Sequence, residues 1–186
     1  MRRLLRFLII ACCASAQAAV PPVAQQCVGC HEASPGPGNG RVPDLAGQGL
    51  YYLRKQLLDY KYGRRRGDVM PALSASLTEQ EIDQLALYFS ALPYCGVTQA
   101  PMEEGSDYSA PPLVFCVRCH GRDGRAPNAL WPSLAGQKRE YLRQQMRAFE
   151  AGGRYDPMMA AWAGMVTPKQ EKQILDYFSG SGACSH

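Results

Sequence analysis

Polar and apolar positions along this chain recur with a helical period, and no stretch alternates convincingly as a strand would. Between positions 51 and 60, Tyr52, Leu53, Gln56, Leu57 and Tyr60 fall on one helical face. A second stripe, Ile82, Leu85, Tyr88 and Phe89, follows Thr78-Glu79-Gln80-Glu81. That opening is a capping box, in which the threonine oxygen and the glutamate each satisfy a backbone donor with no helical partner. A third stripe, Ile174, Tyr177 and Phe178, follows Thr167-Pro168. Proline is tolerated at a first helical position because its missing N–H has nothing to bond there. The fold class predicted is all-α, with each Tyr-Phe pair read as core.

These stripes are copies of one another. A shift of 89 positions lays Cys27-Val28-Gly29-Cys30-His31 on Cys116-Val117-Arg118-Cys119-His120, and Leu45-Ala46-Gly47-Gln48 on Leu134-Ala135-Gly136-Gln137, without a gap. The same shift pairs Tyr52-Leu53-Arg54 with Tyr141-Leu142-Arg143, Gln56 with Gln145, Arg65 with Arg154, Met70 with Met159, and Cys95 with Cys184. An exact internal repeat implies two like domains. The Pro-, Gly- and Ser-rich stretch between them, with the acids Glu103, Glu104 and Asp107, reads as a linker. The boundaries are 19–92 for domain one, 93–112 for the linker and 113–186 for domain two.

The N-terminus is a separate piece. Met1-Arg2-Arg3 leads into a short apolar run ending at Ile10, and Ala16-Gln17-Ala18 is a small-x-small cleavage site. Residues 1–18 therefore read as a secretory signal peptide, since a transmembrane span needs about 20 apolar residues. The expected compartment is the periplasm. Ile9-Ile10-Ala11-Cys12 resembles a lipobox, which makes lipid anchoring at Cys12 the lesser alternative. Loss of Arg2, Arg3 and Arg6 takes the formal charge from +4 to +1, a balance that gives no basis for nucleic-acid binding.

The chemistry lies in the two Cys-x-x-Cys-His motifs. Cysteines three apart on a helical turn project to one side, so both thiols can add to the vinyl groups of one haem while the following histidine reaches its iron. Cys27 and Cys30, and Cys116 and Cys119, are thus read as thioether positions for two haem c groups, with His31 and His120 as iron ligands. A zinc ribbon would leave both histidines idle across a whole helical domain, and a thioredoxin-like pair would need a βαβ setting. The chain has three histidines, so bis-histidine ligation at both irons is impossible. Methionine is the natural sixth ligand and raises the reduction potential. Met70 is the candidate in repeat one. The shift selects Met159 in repeat two, with Met158 as runner-up.

The paired motifs, the doubled Leu-Ala-Gly-Gln, the Tyr-Leu-x-x-Gln helices and these methionines resemble cytochrome c4 over about residues 24–184. The resemblance implies two class I cytochrome domains about a pseudo-twofold axis, with haem propionates meeting near the interface. Pro43 and Pro132 lie in segments similar to the Pro-x-Leu-x-Gly of class I cytochromes, which implies that their carbonyls hold the histidines. It implies an electron carrier serving redox partners such as a terminal oxidase, a quinol-oxidising complex or a periplasmic dehydrogenase, with membrane association only through a partner. The cytochrome subunit of flavocytochrome c sulfide dehydrogenases is similar too, and makes an electron-accepting subunit the alternative. A dihaem peroxidase needs an open iron position, which two available methionines argue against, and no signalling domain accompanies a sensor.

Some features stand apart. Glu32 and the proline-rich 34–38 depart from the family, where glycine usually follows the histidine. The equivalent Cys95 and Cys184 are a candidate disulfide. Arg64-Arg65-Arg66 reads as a solvated turn in preference to a docking patch. Its equivalence to Arg154 makes Arg65 the one candidate for a structural or propionate role. His186 reads as a tail residue.

Overall fold

The computed structural model describes residues 20–31, 39–94 and 111–180. Cys12, Glu32, the stretch 34–38, Cys95, Cys184 and His186 lie outside the described residues. Among those described, α1 (Gln25–His31), α2 (Leu50–Lys61), α3 (Met70–Ala75) and α4 (Glu79–Ala91) make one half. The other consists of α5 (Leu113–His120), α6 (Arg139–Glu150), α7 (Pro157–Met165) and α8 (Pro168–Gly180). No strand occurs among them beyond one isolated antiparallel bridge between Arg65 and Arg154.

Local chemistry sets the helix ends. Thr78 Oγ1 accepts from the Glu81 N–H at 3.2 Å while the Glu81 carboxylate accepts from the Thr78 N–H at 2.8 Å. In the second copy Gln170 does the same work: its side-chain oxygen accepts from the Thr167 N–H at 3.0 Å, and its own N–H reaches Thr167 Oγ1 at 3.4 Å. The sequence signature of that box is the spacing from Thr167 to Gln170, which the intervening Pro168 masks. Beyond α2 and α6 the chain turns through Gly63 and Gly152, at φ 73° and 68°, a left-handed conformation that side chains disfavour.

Each half has its own core. Leu53, Leu85, Ala86 and Phe89 are buried in the first, and their repeat equivalents Leu142, Ile174, Leu175 and Phe178 in the second. The expected stripes of α4 and α8 are the faces that pack, against α2 and α6 respectively. Gly47 and Gly136 each donate to the carbonyl of the aromatic residue in these stripes, Phe89 and Phe178, both at 2.8 Å.

The halves meet through reciprocal hydrogen bonds. The Gln48 amide donates to Ser133 O at 2.8 Å and accepts from Ser133 N at 3.0 Å. Gln137 does the same to Asp44, at 3.0 and 3.1 Å. Around the Arg65–Arg154 bridge, Arg66 N donates to Gly153 O at 2.7 Å and Tyr155 N to Arg64 O at 3.1 Å. Each of these bonds maps onto the other of its pair under the 89-residue shift, which is a pseudo-twofold axis expressed in hydrogen bonds. Tyr94 adds a further contact across the halves. Its backbone lies where a Cβ on Gly47 would be 2.4 Å from Tyr94 Cα, and its hydroxyl donates to Ala135 O at 2.8 Å.

Candidate functional site

Both Cys-x-x-Cys-His motifs are helical and end their helix on the histidine, so the imidazole projects from the last turn into the half it belongs to. After His120 the chain reverses at Gly121, at φ 82°, where an added Cβ would stand 2.0 Å from Arg125 O. His31 and His120 are buried. Their Nδ1 atoms lie 2.9 Å from Pro43 O and 2.9 Å from Pro132 O. A carbonyl can only accept, so the proton sits on Nδ1 and the lone pair is left on Nε2, the arrangement a metal-bound imidazole needs. Burial holds both imidazoles below the usual histidine pKa, and therefore neutral. The thiols are half-buried at Cys27, Cys116 and Cys119 and exposed at Cys30. Burial pushes the Cys116 thiol up to about 11 and raises that of Cys27.

Each histidine borders a cavity. The larger, about 360 Å³, is lined by Cys116, Cys119, His120 and Pro132 together with Met146, Met158 and Met159. The smaller, about 90 Å³, is lined by Cys27, His31, Pro43 and Met70. Met158 is 64% exposed, as Met165 is 62%. Met159 is half-buried and has its N–H fixed by the Asp156 carboxylate at 3.0 Å, the N-cap of α7. Each cavity is bordered by its motif's neutral imidazole, by at least one of its thiols and by at least one thioether, a set that fits a covalently attached haem, and among the described residues no group of three or more His, Cys, Asp or Glu side chains fits a bare metal ion. Phe115 and Trp162, stacked at 5.0 Å, also line the larger cavity, an aromatic wall that helical periodicity gave no reason to expect.

A family model for cytochrome c oxidase, cbb3-type, subunit III matches residues 15–89. The thiosulfate dehydrogenase electron acceptor of Stutzerimonas stutzeri (strain A1501) is 31% identical over 180 residues, 89% of this chain and 83% of that one. Cytochrome c4 of Thiocapsa roseopersicina is 31% identical over 172 residues, covering 83% of this chain and 86% of its own. The chain belongs to the cytochrome c4 family. A solved cytochrome c4 from Acidithiobacillus ferrooxidans superposes with a TM-score of 0.70 at 30% identity, over 84% of this chain and 98% of that one. The architecture is therefore that of two class I cytochrome domains. As a cytochrome c4 the protein is an electron carrier with two covalently bound haem c groups, one for each Cys-x-x-Cys-His motif.

The site extends past the residues singled out in the sequence. Arg65 and Arg154 are 5% and 7% exposed and lie between the halves, so the solvated-turn reading holds for Arg64 and Arg66, which are exposed, and not for Arg65. Gln56, Gln145, Tyr52 and Tyr141 surround them. The signal was present: polar glutamine and tyrosine groups on an otherwise apolar stripe, repeated in both copies.

Proposed function

We propose that this cytochrome c4 is a periplasmic one-electron carrier in which each haem is held by its own His/Met pair. In the first domain Cys27 and Cys30 form the thioethers, with His31 and Met70 on the iron. In the second, Cys116 and Cys119 form them, with His120 and Met159 as ligands. Pro43 and Pro132 fix the two histidine tautomers. The observation that carries this reading is the pair of 2.9 Å histidine contacts, each at a cavity that also reaches its methionine. When bound, the haems supply a one-electron ferric/ferrous couple. The chain's part is to keep both axial positions filled, exclude water from the irons, and raise the potentials through thioether ligation. With no open position, intrinsic peroxidase activity is absent.

The donor we favour is a dehydrogenase, because a relative covered over most of its length is an electron acceptor of thiosulfate dehydrogenase. A terminal oxidase accepts the electrons on the other side, and a quinol-oxidising complex is the alternative donor. Residues 1–18 are the export signal, so the mature protein begins at Ala19, with domains 19–92 and 113–186 joined by 93–112. No helix among the described residues is long and apolar enough to cross a membrane. The test is the oxidised holoprotein's far-red absorption band from methionine bound to ferric haem, together with stopped-flow reduction by thiosulfate dehydrogenase and thiosulfate. The expected results are the band at two-haem intensity and reduction of both haems. A missing band overturns the ligand assignment. Reduction no faster than by thiosulfate alone overturns the donor.

A further inference from the structure

The interface holds two buried cations, Arg65 and Arg154, with no carboxylate paired to either among the described residues. Arg65 donates to Gln56 Oε1 at 2.8 Å, to Tyr141 Oη at 3.0 Å and to Gln145 Oε1 at 2.7 Å. Arg154 donates to Gln145 Oε1 at 2.9 Å, to Tyr52 Oη at 2.7 Å and to Gln56 Oε1 at 2.8 Å. The two glutamine oxygens each bridge both guanidinium groups, closing a ring across the pseudo-twofold axis. Even the stacking is repeated, with Arg65 over Tyr60 and Arg154 over Phe149, each 4.5 Å from the ring centroid. The acceptors are two amide oxygens and two phenol oxygens, and none is a carboxylate; burial is outweighed by the two guanidinium groups, which hold the Tyr141 hydroxyl below its usual pKa. Among the described residues no carboxylate pairs with either arginine, although the nearby buried Asp59 is paired with Lys55 and Arg64.

Burying a charge without a counter-charge is costly, and two like charges in one ring cost more. The site is built for carboxylates it does not itself contain. Its position says which ones. Arg65 lines the smaller cavity and Arg154 the larger, and Tyr52, Gln56 and Tyr141 line both. We propose that Arg65 and Arg154 form one shared cation pair that receives a propionate carboxylate from each haem, so that either arginine sets the reduction potentials of both haems. A ferric haem carries one more positive charge than a ferrous one, so a cation held beside both disfavours oxidation at both. These are positioning residues, acting on the irons through the field and the glutamine ring, and the inference rests on each cavity holding its haem as read above.

The test is a potentiometric titration of the holoprotein and of Arg65→Gln, Arg154→Gln and Arg65→Lys. In each glutamine variant both midpoint potentials should fall, by about a tenfold change in reduction equilibrium, which is about 59 mV for a one-electron couple. Arg65→Lys should stay near the parent. Gln145→Glu keeps shape and volume and places a carboxylate against both guanidinium groups, so it folds even where loss of an arginine does not. It too should lower both potentials. A purely structural ring would lower the melting temperature and leave the potentials unchanged, which refutes the proposal, as does a fall confined to one haem. Parent potentials that move with phosphate concentration at constant ionic strength would show that a free anion occupies the ring, and refute it as well. The far-red methionine band, followed in every variant, separates failure of this idea from failure of the ligand assignment.

Discussion

Where the two domains face each other their hydrogen bonds come in equivalent pairs, as in Gln48–Ser133 against Gln137–Asp44, while at the outer walls of their cavities they differ in kind. The second cavity carries the Phe115–Trp162 stack, and the repeat equivalents of those residues are Gln26 and Leu73. The helix bearing the methionine runs nine residues from an aspartate cap in the second domain and six residues with no side-chain cap in the first. Within the cores a buried apolar position of the first domain becomes charged in the second, Ile82 standing against half-buried Glu171. The contrast has a physical cause. Across a pseudo-twofold axis each contact has an equivalent made by the same pair of positions with the copies exchanged, so each position must serve both as itself and as its copy's counterpart. The outer walls carry no such mutual constraint.

The comparison breaks most visibly at the iron. Met70→Ala and Met159→Ala should each remove about half of the far-red band and lower one of the two potentials, because an imidazole–water or imidazole-only iron loses the thioether's stabilisation of the ferrous state. Met158→Ala should leave the spectrum unchanged, its side chain being largely exposed although it reaches the cavity. An optical titration of the three variants checks this. Loss of the band in Met158→Ala instead would mean that the outer wall of the second domain has shifted its ligand by one residue relative to the first.

At the interface the two copies should respond alike. Gln48→Ala leaves Ser133 N and O without their partner, and Gln137→Ala does the same to Asp44, so each should cost about 2 kcal/mol, the scale of stranding buried backbone groups. Urea midpoints of the two single variants should agree within error. A large difference would show that Tyr94, which packs on Gly47, carries more of the interface than the paired glutamines.

Much of this was legible in the sequence, for a reason tied to the repeat. A gap-free shift turns each ambiguous position into a pair, and this selects Met159 as the candidate among four methionines in the second copy, while Pro43 and Pro132, whose carbonyls the histidines meet, are indicated by the family resemblance. The glutamine–arginine ring was visible only in part. Arg65 and Arg154 were paired, but pairing within a repeat does not reveal that equivalents touch. An apolar-stripe reading also counts Tyr52 and Gln56 as core without asking where their polar atoms go. The Phe115–Trp162 wall has no repeat counterpart, and so left no signal of that sort.

The smallest effect separates the domains by charge alone. Thr78 caps α4 with Glu81, and Thr167 caps α8 with Gln170, so the same box is titratable in one domain and not in the other. Hydrogen bonds from the Thr78 backbone and side chain hold the Glu81 carboxyl below its usual pKa. A folded-state pKa that is depressed contributes stability present above the ordinary glutamate value and lost as pH falls through the lowered one. Thr78→Ala should therefore cost about 1 kcal/mol at neutral pH, and less in acid, where the parent protein has lost part of the box as well. Thr167→Ala should cost a similar amount at neutral pH and keep that cost in acid, since an amide does not titrate. Urea midpoints of both variants and the parent at neutral pH and near pH 3 read this directly. Parallel pH profiles for the two threonines would show that the threonine oxygen alone, with no help from its i+3 partner, makes each cap.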